Sequence, residues 1–336
     1  MNAPTSLPAA ESPLISFVIP VRDDAERLRR CLDSIVRASG GSAVELIVAD
    51  NGSKDGSPEV AQQAGASVLT LPGVPVAQMR NRAAATARAA LIAFVDADHE
   101  IGRDWVKAAL AAMTDAHVWA AGAEYDGPTP NTWVQRIYDR FRAHRDVMTP
   151  VDWLPSGNLV VRRQAFDQVD GFDESLESCE DVDFCRRIRH GGGQLLSVPT
   201  LRSTHFGDPQ SLRALFLSEL WRGRDNLRVS LRDRLTLRST PSLVIPILNL
   251  CALFAFVGGV LTTSIGGARI ALIGLVTFVA LAMLRTALLI RRTPAGSRGA
   301  TTLVQTFAVA ATYDLARALA LVARAGHGVR RKGDTR

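Results

Sequence analysis

The sequence has few cysteines and aromatic residues, and it lacks the features that mark several other protein classes. Its four cysteines among 336 residues lie far apart or at a spacing that matches no metal knuckle, which predicts the reduced thiols of a cytosolic chain. The start, MNAPTSLPAAESP, has no charged segment followed by an apolar core, so we expect no cleavable signal peptide. Aromatic and basic residues are not interleaved and no recognition motif occurs, which disfavours nucleic-acid binding.

Basic charge is concentrated before an apolar tail. The formal net charge is +6, and residues 202–238 contain eight arginines against four acids. Beyond Pro241 the chain becomes strongly apolar. An excess of arginine next to apolar segments is typical of the cytoplasmic side of a bilayer. The sequence therefore predicts a membrane partner.

Two apolar segments of the tail, residues 243–265 and 270–290, are each long enough to span a bilayer. Basic residues flank both, which predicts two transmembrane helices with their outer ends in the cytoplasm. A third stretch, 302–322, carries Gln305, Asp314 and Arg317. We expect it to lie at the interface or pack on the two spans, while a third span stays an alternative. Asp314 and Arg317 have the spacing of an ion pair.

Strand and helix patterns alternate in the first hundred residues. The apolar runs ISFVIPV, ELIVAD, SVLTL and LIAFV are separated by helical segments, which predicts an open, mostly parallel α/β sheet. In such sheets ligands bind at the carboxyl ends of the strands, where Asp50 and Asp96 fall. A further helix is predicted over 131–146.

The stretch FVDADHE, residues 94–100, places three acids and a histidine directly after a strand. Crowded carboxylates repel one another unless they are well solvated or neutralised by a cation. A polar loop at a strand end is the simpler interpretation of one D-x-D. Two acidic strand ends at one sheet edge favour a cation site.

Several motifs together resemble the inverting glycosyltransferases of family 2, which have the GT-A fold. They cover residues 14–215 approximately, in the family's order: FVIPVRDD, VADNGSKDGS, MRNRAAATARAALIAFVDADHE, SGNLVVRR, DGFDE, CEDVDFCRRIRHGG and STHFG. The resemblance implies a Rossmann-like mixed sheet flanked by helices. It also implies a nucleotide-sugar donor.

The resemblance assigns donor-binding roles to residues of the first half. It implies that the nucleotide-sugar contacts Pro20, Val21, Asp24, Asp50, Asn51, Arg80, Asn81 and Asp96. Asp50 is similar to the acid that reads the base, although an Asx turn into Gly52 is an alternative role. Arg80 and Asn81 match a pair that faces the diphosphate, or form an ordinary solvated helix face.

A divalent metal, Mn²⁺ or Mg²⁺, is the implied cofactor, because carboxylate oxygens hold these ions beside a diphosphate. Asp98 is the expected direct ligand, Asp96 is shared between ribose and metal, and His205 completes the site. A surface histidine after a strand is the alternative for His205. The role of His99 stays open.

The resemblance places the base at Asp181, with Glu180 as a possible acceptor ligand. Acids in a first helical turn also favour the helix dipole, which is the alternative explanation. Trp153, Gly157 and Asn158 are expected to bound the acceptor or donor sugar, although Trp153 could belong to the core. No Q-x-x-R-W motif follows, which favours transfer of a single sugar over repeated addition.

These observations predict five regions: a flexible N-terminus over 1–13, a catalytic domain over 14–215, a basic juxtamembrane helix over 216–240, a membrane region over 241–325 and a basic tail over 326–336. The expected protein is an inverting glycosyltransferase of the inner membrane. Its catalytic domain faces the cytoplasm, and its acceptor is lipid-linked or a cell-envelope polysaccharide. A sugar-nucleotide nucleotidyltransferase and a catalytically silent scaffold are the alternatives.

Overall fold

The computed structural model describes residues 12–142, 144–232 and 240–323. The predicted basic tail lies outside these residues, as does almost all of the predicted flexible N-terminus. The chain divides into two compact units. The first contains the chain up to residue 124 together with two later segments, 145–173 and 184–203, and the second contains 125–144, 174–183 and 204 onward.

The first unit is built on an eight-stranded mixed sheet. Its strands are β1 Ile15–Val21, β2 Val44–Asp50, β3 Ser67–Thr70, β4 Leu91–Val95, β6 Val118–Gly122, β7 Thr149–Pro150, β8 Asn158–Arg162 and β9 Gln194–Ser197, with β5 His99–Ile101 outside the sheet. The order is β3-β2-β1-β4-β8-β6-β9-β7. Strands β3, β2, β1 and β4 are parallel, and β8 runs antiparallel to both β4 and β6. The predicted α/β sheet is confirmed as mixed.

Helices cover this sheet. They are α1 Ala25–Ser39, α2 Ser57–Gln63, α3 Val76–Thr86, α4 Trp105–Ala112 and α6 Arg163–Gln168. Strands β1 and β4 are buried almost throughout, because parallel strands covered on both faces need apolar side chains at every position. On α1 the buried positions Leu28, Cys31, Leu32 and Ile35 form one apolar face, whereas Val36 is exposed.

Asn158 is a structural residue of the sheet core. It is fully buried, and its amide nitrogen donates to the carbonyls of Ala123 (3.1 Å) and Leu201 (2.6 Å). Its side-chain oxygen accepts a hydrogen bond from the indole of Trp105 at 2.9 Å. Asn158 was predicted to bound a sugar, whereas its burial and these hydrogen bonds indicate that it fixes the backbone around β8.

The second unit is helical. It contains α5 Trp133–Tyr138, the start of α7 Glu180–His190, then α8 Leu212–Arg222, α9 Asn226–Ser230, α10 Thr240–Leu261, α11 Ile265–Arg291 and α12 Ala300–Ala320, with the end of β10 Ser203–His205. The predicted helix over 131–146 is shorter, because α5 gives way to one 3-10 turn and then to extended backbone at Arg142. Within 216–232 the chain forms α8, a turn and α9, whereas one continuous juxtamembrane helix was predicted.

Two helices of the described residues, α10 and α11, are long and apolar enough to cross a membrane. Each keeps less than a third of its most apolar window buried, so most of their apolar side chains face outward. Their glycines bring the two backbones together. A Cβ at Gly274 would lie 2.4 Å from the carbonyl oxygen of Ala252, whereas a Cβ at Gly258 would meet no atom within 4 Å. Small residues at such contacts are typical of packed membrane helices.

Helix α12 packs on α8, α10 and α11. Asp314 and Arg317, which have the spacing of an ion pair, do not pair with each other. Asp314 accepts instead from Arg285 of α11 at 2.7 Å, and Arg317 lies 3.8 Å from Glu219 of α8. Each charge of α12 therefore has a partner on a different neighbouring helix, which a local spacing rule does not anticipate.

We expect Asn158→Leu to destabilise the first unit by about 2–5 kcal/mol, because two buried carbonyls and one indole N–H lose their partner. Thermal unfolding of the detergent-solubilised chain measures this loss. Gln164→Leu, on the exposed side of α6, is the control and should leave the midpoint nearly unchanged. Equal midpoints for both variants would contradict the structural role.

Gly274→Leu tests the contact between helices α10 and α11. We expect it to destabilise this pair by about 1–3 kcal/mol, because the larger side chain overpacks the contact. Gly258→Leu is matched in chemistry and faces open space, so it should be tolerated. Unfolding in increasing sodium dodecyl sulfate compares the two. Equal sensitivity would show that the helices do not pack in this way.

Candidate active site

Acidic residues gather at one edge of the sheet in the first unit. Asp50 is the last residue of β2 and lies level with Val21, the last residue of β1. Asp96 directly follows β4, which runs parallel to β1. The carboxyl ends of parallel strands face the same side, so Asp50 and Asp96 share the edge at which ligands bind in such sheets.

Asp50 forms the Asx turn that the sequence allowed. Its carboxylate accepts hydrogen bonds from the backbone N–H groups of Gly52 (3.0 Å) and Ser53 (3.1 Å). Gly52 has φ +74°, a conformation that favours glycine. The turn engages both carboxylate oxygens, and the Asp50 side chain is buried. Each carboxylate oxygen has a second lone pair.

Asn51, Pro20 and Val21 contribute mainly through backbone placement. Asn51 is buried, and its amide donates to the carbonyl of Val74 at 2.6 Å while its side-chain oxygen accepts from Gly73 at 3.1 Å. Pro20 and Val21 lie within β1, with the side chain of Val21 buried. These residues shape the strand ends from which the loops depart.

The loops after β1 and β2 are tied together. The backbone N–H of Asp23 donates to Ser53 Oγ at 2.9 Å, and Lys54 N–H donates to the Asp23 carboxylate at 2.8 Å. Asp24 is held by Arg27 through two contacts of 2.9 and 2.7 Å. Asp24, one of the predicted nucleotide-sugar contacts, therefore has its carboxylate paired with Arg27.

Arg80 faces the acids and does not lie on a solvated helix surface. It is 3% exposed, and its guanidinium contacts Asp96 Oδ1 at 2.6 Å. Asn81 has another partner, since its amide pairs with both backbone groups of Phe172 at 2.8 and 2.9 Å. Arg80 therefore supplies charge at the sheet edge, and Asn81 holds the turn that precedes Phe172.

Gly157 allows a close backbone approach at Asp96. A Cβ at this position would lie 2.6 Å from Asp96 Oδ2 and 3.2 Å from His99 Nε2. Any larger residue would displace one of these groups. Trp153, which was also predicted to bound the sugar, is 40% exposed and so does not belong to the core.

Asp98 and His99 have the chemistry of a metal site. A carboxylate oxygen of Asp98 and a ring nitrogen of His99 lie within 4.8 Å of each other. His99 is buried, and its Nδ1 lies 2.8 Å from Ser203 Oγ, which fixes the ring. Carboxylate oxygens and imidazole nitrogens are ligands for Mn²⁺. These residues fit a divalent cation; for His99 the available sequence signal was its position directly after the D-x-D.

In the second unit, Glu180 and Asp181 occupy the first turn of α7. Glu180 is buried and Asp181 is partly exposed. Asp181 Oδ1 accepts from the N–H of Val182 at 2.8 Å, so the carboxylate also serves the helix start as the alternative interpretation expected. Two helical residues later, Asp183 is fully buried and paired with Arg232 at 2.8 Å.

His205 is buried, which excludes the surface interpretation. Its Nδ1 lies 2.7 Å from Asp208 Oδ1, and its ring lies 4.7 Å from that of Tyr125. Burial raises the pKa of Asp208, but the hydrogen bond and charge of His205 and the charge of Arg142 outweigh it and hold that pKa below its ordinary value. Asp208 was not predicted as a partner of His205, and its three-residue spacing from His205 was the available signal.

The predicted site residues thus fall into two groups. Those of the donor site and the D-x-D lie in the first unit, and Glu180, Asp181 and His205 lie in the second. Asp50, Asp96, Arg80 and Gly157 are brought to one sheet edge. The catalytic and ligand roles of the individual residues stay predictions.

Comparison with known proteins gives a family for the core of the chain. Residues 16–170 match the sequence model of Glycosyl transferase family 2. Glycosyltransferase AglE of Haloferax volcanii is 26% identical over 247 residues, which cover 70% of this chain and 80% of that protein. The pre-mycofactocin glycosyltransferase of Mycobacterium tuberculosis is 28% identical over 204 residues, 57% of this chain and 42% of its own length.

Among solved structures, the fold is similar to that of the mannosyltransferase PcManGT from Pyrobaculum calidifontis, in complex with GDP-Man and Mn²⁺. The TM-score is 0.54 at 13% identity, with 90% of this chain and 87% of that chain covered. This likeness shows the GT-A fold. Residues 16–170 accordingly match Glycosyl transferase family 2, and the matches identify the chain as a glycosyltransferase.

Proposed function

We propose that this glycosyltransferase moves a single sugar, with inversion, from a nucleotide-sugar donor to a lipid-linked or cell-envelope polysaccharide acceptor. It would act at the inner membrane with its catalytic domain in the cytoplasm. The observation that carries the proposal is the sheet edge of the first unit, to which Asp50 and Asp96 both belong, with Arg80 in contact with Asp96 and Asp98 two residues later.

A nucleotide-sugar donor requires both negatively and positively charged side chains at this edge. Its sugar and base offer hydroxyl and N–H donors to carboxylates, whereas its diphosphate carries about two negative charges that must be balanced as it leaves. Arg80 supplies one fixed positive charge beside Asp96. In this proposal Asp50 binds the base, and Asp96 binds the ribose.

The residues of the first unit that would hold a divalent cation are Asp98 and Asp96, with His99 as an additional candidate; His205 stays the third predicted ligand. Bound there, Mn²⁺ or Mg²⁺ would neutralise the leaving diphosphate. The support from this chain is the pairing of the Asp98 and His99 ligand atoms. The solved structure of the mannosyltransferase of similar fold is a complex with GDP-Man and Mn²⁺.

Inversion requires a base that takes the proton of the acceptor hydroxyl. In the proposed step the acceptor hydroxyl oxygen attacks the anomeric carbon opposite the nucleotide, its proton passes to the Asp181 carboxylate, and the nucleoside diphosphate leaves. Glu180 would bind the acceptor. Asp181 is partly exposed at a helix start, which suits a group that must receive a proton from a bound substrate.

The apolar helices α10 and α11 support the choice of acceptor. Most of their apolar side chains are exposed, as lipid contact requires. A bilayer anchor and a lipid-linked acceptor would share one surface. Basic residues at the outer ends of both helices favour the cytoplasmic leaflet for these ends.

We expect Asp98→Asn to weaken Mn²⁺ binding by at least about tenfold and to reduce sugar transfer, because a neutral amide is a poorer ligand for a hard cation. Electron paramagnetic resonance of Mn²⁺ titrated into the detergent-solubilised chain measures binding. Transfer and hydrolysis of UDP-, GDP- and dTDP-sugars, with and without Mn²⁺, measure activity. Asp33→Asn, on the exposed face of α1, is the matched control.

Metal binding that is equal in Asp98→Asn and Asp33→Asn would contradict the assignment of Asp98. Donor turnover that is independent of metal would remove the cation from the mechanism and leave the acids at the sheet edge to bind the sugar and base only.

We expect Asp181→Asn to lower kcat for transfer by about 10²–10⁴-fold, the range that general base catalysis contributes. Donor affinity should be unchanged, since the predicted donor residues lie in the first unit. Steady-state kinetics and donor titration separate the two effects. Asp167→Asn, exposed on α6, should match the unaltered protein; unchanged kcat in Asp181→Asn would exclude this residue as the base.

A further inference from the structure

The loop that leads to Glu180 is held by one aspartate of the second unit. Asp225 lies in the turn between α8 and α9, and its Oδ2 accepts from the N–H groups of Glu177 (2.8 Å) and Ser178 (3.1 Å). Its own N–H donates to Ser178 Oγ at 3.2 Å. The exchange is reciprocal, like that of a capping box, but joins segments that are 47 residues apart.

Arginines of the turn that contains Asp225 and of helix α9 also contact the chain before and after Glu180. Arg228 donates to the carbonyl and hydroxyl oxygens of Ser175 at 3.1 and 2.9 Å. Arg224 pairs with Glu177 at 2.8 Å. With the Arg232 pair to Asp183, residues 224–232 contact the chain on both sides of Glu180 and Asp181.

The backbone between these contacts is in an unfavourable conformation. Cys179, directly before Glu180, has φ +59°, which a side chain other than glycine rarely adopts. Such a residue persists only where its surroundings determine it. Its Sγ lies 3.5 Å from the carbonyl oxygen of Arg222, at the end of α8. Burial, and then the charge of Asp181, raise the pKa of this thiol to about 12, so it stays protonated and donates.

We propose that Asp225 is a positioning residue, which fixes the 174–179 loop and thereby sets where α7 begins and where Glu180 and Asp181 lie. The proposal rests on the proposed function in one respect, that Asp181 is the base. Asp225 itself touches neither substrate nor metal in this proposal. It acts only through the backbone of the loop.

The position of the turn is linked to the membrane region. Gly223 precedes it, and a Cβ at Gly223 would lie 2.5 Å from the Cβ of Ala320 on α12. Glu219, one helical turn earlier, accepts from Tyr138 at 2.6 Å and from Arg222 at 3.0 Å, and lies 3.8 Å from Arg317 of α12. Helix α12 therefore supports α8, and α8 carries the turn that holds the loop.

The test is Asp225→Ala in the full, detergent-solubilised chain. We expect kcat for transfer to fall by about 100-fold, because a displacement of about 1 Å at the base can cost that much. The dissociation constant for the donor should not change, a split that general misfolding would not produce. A Glu-specific protease should also cut faster after the exposed residues Glu174 and Glu177. This second measurement needs neither donor nor acceptor.

Two variants grade the effect. Asp225→Asn retains an acceptor oxygen and should recover most of kcat and of protease resistance. Ser178→Ala removes one of the three hydrogen bonds between Asp225 and the loop, and should cause a smaller loss of kcat and of protease resistance. This variant also provides the test if Asp225→Ala does not fold. Asp104→Ala, exposed before α4 in the first unit, should change nothing.

The outcomes separate this proposal from the assignment of the base. Unchanged kcat and protease resistance in Asp225→Ala, together with inactivity of Asp181→Asn, would overturn the positioning role alone. Unchanged kcat in both variants would overturn Asp181 as the base. The protease measurement would then still decide whether Asp225 holds the loop.

Discussion

The carboxylates at the carboxyl edge of the sheet need compensating partners, because crowded charges of one sign repel one another. Asp50 is compensated by the N–H groups of an Asx turn, and Asp96 by the buried guanidinium of Arg80. Asp98 has Arg27 at 3.9 Å and a histidine nitrogen nearby. Each acid thus has a different kind of partner, and the edge carries the carboxylate oxygens that the proposed donor and cation would require.

The sequence predicted those parts of the site that depend on local pattern. The parallel strands and the acids at their ends follow from apolar runs that stop at Asp50 and Asp96, so this edge was accessible to prediction. The pairing of β8, which lies antiparallel between β4 and β6, could not be predicted from the residue pattern. Strands that pair over a long sequence separation leave no periodic signal. Asn158 is an example, because its motif predicted a sugar contact, whereas its hydrogen-bond partners Ala123 and Leu201 become its neighbours only when the chain folds.

Charge composition is similarly ambiguous without a fold. The arginines of 202–238 predicted a basic surface before the bilayer, yet Arg222, Arg224 and Arg232 pair with acids of the protein itself. Asp314 and Arg317 have the spacing of a local pair but bind Arg285 and Glu219 on other helices. Desolvated charges need partners within contact distance, and tertiary packing supplies nearer partners than the helix itself does.

The same rule explains why the second unit can determine the start of α7. Acids in a first helical turn are stabilised by the helix dipole, which orients them only loosely. Asp183 is instead desolvated and paired with Arg232, while Glu177 and Ser178 are fixed by Asp225. Asp181 lies between these two constraints and is itself partly exposed. A carboxylate can thus stay solvated enough to accept a proton while its position is set by buried neighbours on either side.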